Sequence, residues 1–183
     1  MLGPMPGGPM KVEALAGFEA LDESRWNGLL DRARHPSIFL TWQWQMAWSR
    51  AFVAGRPLQI LQVSDDAGAL AGLLPLYEES PGVRRLVGGV DVSDYLDLIV
   101  PAGLEEEVWA ALLQHRAGET AEWDLHAIRA VSPTVEILPR LSSGAGLTAT
   151  IEREDRCPVL ELPDSWDAYA PYPPTAKNPS MRH

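Results

Sequence analysis

Asp94, Tyr95 and Asp97 fall within one short stretch, Ser93-Asp94-Tyr95-Leu96-Asp97-Leu98-Ile99-Val100. A carboxylate and a phenol in one stretch can accept and donate a proton or a hydrogen bond. The alternation of residue types reads as a strand, with Tyr95, Asp97 and Ile99 on one side and Leu96, Leu98 and Val100 on the other. The leucine side belongs in a core. A carboxylate in mid-strand is solvated, paired or used. Asp97 and Tyr95 are therefore the candidate catalytic residues and Asp94 a candidate substrate contact; a solvated strand end is the plainer reading of the same residues. Trp42 is a second candidate contact. It stands before a run in which Trp44, Ala47, Trp48, Ala51 and Phe52 keep helical spacing, so Trp44 and Trp48 face a core while Trp42 is placed to wall a pocket. His126 and Asp124 share a face of another expected strand and would form an acid–base pair with Asp97 if the strands are neighbours.

Other chemistries find little support. One cysteine and scattered His35, His115, His126 and His183 make no metal-ligand set. Cys157, before Pro158 at an expected strand start, reads as a buried structural thiol. There is no Gly-x-Ser-x-Gly elbow and no Walker loop. Arg85-Leu86-Val87-Gly88-Gly89-Val90 approximates an Arg/Gln-x-x-Gly-x-Gly/Ala pyrophosphate loop, which works by aiming backbone N–H groups at the anion from the start of a helix. Here Asp91 and Asp94 follow instead, so the stretch reads as a glycine turn and no cofactor-binding residue is expected.

The positioning elements follow from pattern. Lys11–Ala16 reads as a strand. Asp22 or Ser24 caps a helix carrying Trp26, Leu29, Leu30 and Ala33, ended by Pro36, and Thr41 caps the next, stopped by Gly55 and Pro57. Leu58–Val63 and Ala69–Tyr77 form a hairpin around Asp65-Asp66-Ala67-Gly68, the second strand covered on both faces, with Pro75 marking a bulge or an edge. Arg84–Val87 is a strand. Gly103–His115 is a helix facing inward with Leu104, Val108, Ala111, Leu112 and His115. Trp123–Ile128 is a strand and Ser132–Leu141 a helix with Pro133 in its first turn. Thr148–Glu152 and Pro158–Leu162 read as late strands, and Asp164 or Ser165 as the cap of a last helix. The expected class is α/β (α+β): a mixed sheet flanked by helices.

The 183 residues carry a net charge of −10, which argues against a nucleic-acid or anionic-membrane surface. A single cysteine fits a reducing cytosol, and no run of apolar residues is long enough to span a bilayer. The expected localisation is cytoplasmic. Met1–Met10 is a Gly/Pro/Met-rich lead, expected to be disordered, with neither a basic start nor an apolar core.

Thr41-Trp42-Gln43-Trp44 with Trp48, Leu73-Leu74-Pro75-Leu76, Ser93-Asp94-Tyr95-Leu96-Asp97, Trp123-Asp124-Leu125, and Leu160-Glu161-Leu162-Pro163 with Trp166-Asp167-Ala168-Tyr169 stand in an order that resembles the GNAT-type acetyltransferases of the cellulose-biosynthesis-associated branch, which are similar to FemAB-like double-GNAT proteins. The resemblance runs from about Trp26 to Tyr169 and implies a mostly antiparallel sheet. It also implies acyl transfer from acetyl-CoA or another acyl-CoA to a small-molecule amine, with two GNAT-like halves, the second holding the acyl-CoA. Residues 11–163 would be the first half and 164–183 the start of an inter-domain helix. Pro171, Pro173, Pro174 and Pro179 depart from the basic helix the family places there. The expectation is a truncated or frame-shifted first half that does not bind acyl-CoA alone. The rival is a non-catalytic interaction domain that pairs with a partner half or a second copy.

Overall fold

The computed structural model describes residues 8–53, 55–89, 91–158 and 160–169. The expectations for residues 1–7 of the lead and for the tail from 170 onward lie outside the described residues. Two compact units divide between Glu152 and Arg153.

The first unit is built on a five-stranded sheet of β1 (Lys11–Leu15), β2 (Leu58–Ser64), β3 (Leu70–Ser80), β4 (Val83–Leu86) and β5 (Glu122–Asp124), lying in that order. The first three pairings are antiparallel, and β4 and β5 are parallel. With α1 (Glu23–Leu30), α2 (Trp42–Phe52), α3 (Glu105–His115) and α4 (Pro133–Gly144), this is the mixed sheet with helices that the pattern predicts, mostly antiparallel as the resemblance implies. The second unit contains α5 (Trp166–Tyr169).

Local chemistry accounts for the element ends. Asp22, Thr41 and Ser132 each accept a backbone N–H in the first turn of α1, α2 and α4, satisfying donors that have no partner inside the helix. The β2–β3 hairpin closes through Asp65 N–H to Ala69 O, with Gly68 at φ 81° where a side chain would be strained.

β3 is sandwiched. On one face Tyr77 packs on Trp48 of α2, ring centroids 5.3 Å apart. On the other, Gly72 lets α3 approach so closely that an added Cβ would lie 2.5 Å from a Val108 methyl. Gly72→Ala should lift α3 from the sheet and destabilise the fold by about 1–3 kcal/mol, read by urea unfolding, as overpacking does. A stability unchanged within error would show that Val108 swings away freely.

Several expectations need correction. Pro75 sits in an interior strand, at neither an edge nor a bulge; the register shifts fall at Val63/Ser64 and Glu78/Ser80. Its carbonyl accepts from Val87 N–H just past the end of β4, where a missing donor breaks no ladder. Ser93–Val100 is not a strand. Beyond β4 the edge of β3 is open, and Ile99 alone fills it, exchanging hydrogen bonds with Leu73 at 2.9 and 3.0 Å. Leu96, Leu98, Ile99 and Val100 are all buried, so this part of the segment threads the core, with Asp94 exposed at its start. β5 stops at Asp124, leaving Leu125–Ile128 as loop, and the expected late strands at 148–152 and 158–162 carry no strand among the described residues. α1 ends at Leu30, well before Pro36. α3 turns Trp109 and Leu113 inward, with Val108 and Leu112, and leaves His115 exposed. Cys157 is exposed, not buried.

Candidate functional site

Because β4 and β5 are parallel, the loops that follow them leave the sheet at the same end. Open sheets bind ligands outside the carboxyl ends of such strands. The two loops meet there through Leu96 N–H to Ala127 O at 3.1 Å. The loop after α1 joins them through the Ala33–Pro101 bridge and Ala102 N–H to Arg32 O. α2 supports the first loop from behind. Trp44 Nε1 donates to Ser93 Oγ, which donates to Gly88 O, and Gln45 Nε2 reaches Phe39 O and Val87 O.

Asp97 lies at the centre of this convergence. Its Oδ2 accepts from Ser132 Oγ; its Oδ1 accepts from Thr134 Oγ1 at 2.7 Å and from Leu98 N–H at 2.8 Å. Thr134 Oγ1 in turn accepts from Trp109 Nε1 at 3.1 Å. Asp97 therefore ties the loop after β4 to the start of α4, where the helix dipole favours a negative charge. Burial pushes its carboxyl above the usual carboxylate range, against the pull of the two hydroxyls, the Leu98 N–H and the His35 charge. The expected partnership with Asp124 and His126 does not form. Asp124 pairs with Arg85 at 2.7 Å, and buried His126 lies past the end of β5.

Tyr95 and Ala127 flank the Leu96–Ala127 bond and both sit in the left-handed region, at φ 56° and 57°. For residues with a Cβ this conformation costs about 1–3 kcal/mol each and survives where the surroundings impose it, as at ligand sites. The Tyr95 ring lies under the Arg129 guanidinium, 4.1 Å from ring centroid to carbon. Asp94 is exposed beside it.

Trp42 belongs elsewhere. It is the first residue of α2, takes its backbone cap from Asn27 Oδ1 and packs edge-on against Phe18. Trp44, by its bond to Ser93, and Trp48, against Gly89, are the tryptophans of α2 that reach the loop. The structure thus brings Tyr95 and Asp97 into one neighbourhood, with Asp94 at its rim. Sequence reasoning missed Ser132, Thr134, Trp109, Arg129 and His35. Only Ser132 carried a local signal, as a hydroxyl before Pro133 at a helix start.

The glycine turn after β4 packs against α2. Arg85 is engaged by Asp124, and Gly89 (φ 66°) lies against Trp48, where a Cβ would meet the indole at 2.6 Å. The start of α3 is filled by the chain itself: Glu105 accepts from Gly103 N–H at 2.6 Å and pairs with Arg34 at 3.0 Å. Burial pushes the Glu105 carboxyl up, but the Glu105 and Gly103 backbone donors and the Arg34 guanidinium outweigh it and hold it below the usual range. Among the described residues no three His, Cys, Asp or Glu side chains gather as a metal site, and no helix is long and apolar enough to cross a membrane. A groove of about 260 Å³ walled by Ala14, Pro57, Leu58, Gln59, Glu78 and Arg84 shares no residue with the Asp97 cluster. No family model, curated protein or solved structure matches the chain.

Proposed function

We propose that this chain is the first, acceptor-side half of a GNAT-type N-acyltransferase and that it does not hold acyl-CoA by itself. The mixed, mostly antiparallel sheet with flanking helices is the architecture the motif resemblance implies. The observation that carries the second clause is the closed N-terminus of α3. Glu105, Glu106 and Glu107 occupy its first turn, and Glu105 already accepts the Gly103 N–H there. A pyrophosphate brought to those N–H groups would meet carboxylates.

On this reading the chain shapes the amine side of the reaction. Both Asp97 oxygens are bonded to Ser132, Thr134 and Leu98, so Asp97 holds the loop, and the acceptor-facing groups are Tyr95 and Asp94 at its rim. Acyl transfer then needs a partner half to present the thioester close to the amine. The alternative, an interaction domain without catalytic duty, draws on Leu160, Leu162 and Trp166, exposed apolar residues of the second unit.

Calorimetric titration of the 183-residue chain with acetyl-CoA, in a sample whose fold is verified by circular dichroism, should give no binding heat. Micromolar binding, about −8 kcal/mol, would overturn the second clause. The product of the whole gene, downstream sequence included, should release coenzyme A thiol when an amine is supplied. Its silence with amino sugars, polyamines and lysine peptides would end the acyltransferase reading in favour of the interaction domain.

A further inference from the structure

Arg129 and Arg116 are the two described arginines whose guanidinium lies on an aromatic ring with a buried, unpartnered Nε; Arg116 also donates to Ala121 O. Six other arginines of this acidic chain are ion-paired with a carboxylate, whereas among the described residues the Arg129 side chain has no ion-pair or hydrogen-bond partner, its backbone carbonyl accepting from Ser132 N–H. Its Nε is buried without a partner. The residue as a whole is half-buried. The guanidinium rests on the Tyr95 ring at 4.1 Å, which fixes its plane. Tyr95 itself is held at φ 56°, and Ala127, two residues before Arg129, at φ 57°. Two backbone positions of rarely adopted conformation therefore present one oriented and unneutralised fork at the shared exit of the β4 and β5 loops. A planar fork of N–H donors matches the two oxygens of a carboxylate or a phosphate. The nearest acid in sequence to the platform, Asp94, is exposed and forms no ion pair with it.

We infer that Arg129, braced on Tyr95, is the receptor for the anionic group, carboxylate or phosphate, of a small ligand bound at the loops following β4 and β5. This assignment does not depend on acyl transfer. It gives Tyr95 the role of a positioning residue acting through Arg129.

Inorganic phosphate and succinate are the probes, separating a tetrahedral from a planar oxyanion. In the full chain, either should produce a saturable millimolar response by calorimetry, with shifts of the Arg129 Nε–H and Leu96 N–H resonances. Arg129→Gln should abolish it. Arg129→Lys keeps the charge without the fork and should weaken it about tenfold, the worth of one charged hydrogen bond. Tyr95→Phe should bind like the parent and Tyr95→Leu should bind more weakly. Melting curves identify variants that fail to fold, and Arg129→Lys with Tyr95→Phe carries the test if the others do. The proposal is overturned if neither probe saturates, or if Arg129→Gln or Arg129→Lys titrates as the parent does.

Discussion

Replacing Asp97 with alanine should destabilise the protein by about 3 kcal/mol or more. The substitution strips the acceptor from the Ser132 and Thr134 hydroxyls and the Leu98 N–H at once, and bonds to a charged acceptor are worth about 1.5–3 kcal/mol each with partial compensation. Asp97→Asn keeps the shape, and the hydroxyls can turn to accept from the new amide, so its cost at neutral pH should stay near 1 kcal/mol. The pair also separates by pH. Burial raises the native carboxyl above its unfolded value of about 3.9, so between those two values the native state binds the extra proton. The stability this group contributes is complete below the unfolded value and is lost as pH rises through the native one. Urea midpoints measured from pH 3 upward should show that fall in the parent and not in Asp97→Asn. Parallel pH profiles would mean that Asp97 is solvated and does not bind the loop to α4.

Trp109→Ala should have the largest effect, about 3–5 kcal/mol, because a fully buried indole leaves a cavity between α3 and the start of α4. Trp109→Phe fills most of that space and loses the bond to Thr134 Oγ1, about 1 kcal/mol. Thr134 Oγ1 links Trp109 to Asp97, accepting from one and donating to the other. A double-mutant cycle of Trp109→Phe with Asp97→Asn should therefore be non-additive by about 0.5 kcal/mol or more. Strict additivity would break the proposed chain from helix core to loop.

The same residues show what was legible in advance. Asp22 and Thr41 were readable as caps, and Asp65–Gly68 as a turn, because each satisfies backbone groups within four residues of itself. The segments read as β2, β3, α2, α3 and α4 survived for a similar reason: period and burial are local to the segment. Reading Ser93–Val100 as a strand failed because its alternation of types is real but its partner is not. β3 offers this segment one residue of open edge at Leu73, and Leu96, Leu98, Ile99 and Val100 are buried whichever side the alternation puts them on. The α3 face was misplaced by about one residue's rotation, since Trp109 fits either face until α4 is packed against it.

Asp97 was conspicuous in the chain as a carboxylate amid leucines, but its meaning was not. Its partners lie 35 and 37 residues away, and no pattern within the loop anticipates them. The sequence by itself determined the class of fold, most of the element positions and the fact that the stretch around Asp97 is exceptional. Those are consequences of side-chain period, turn chemistry and capping, which act over a few residues. Only the tertiary structure decided that Asp97 is spoken for by α4, that Glu105 closes the start of α3, and that Arg129 is held on the Tyr95 ring. Each of those depends on which loops the parallel β4–β5 pair brings to one end of the sheet, and that pairing joins segments about 40 residues apart through contacts that have no local signature.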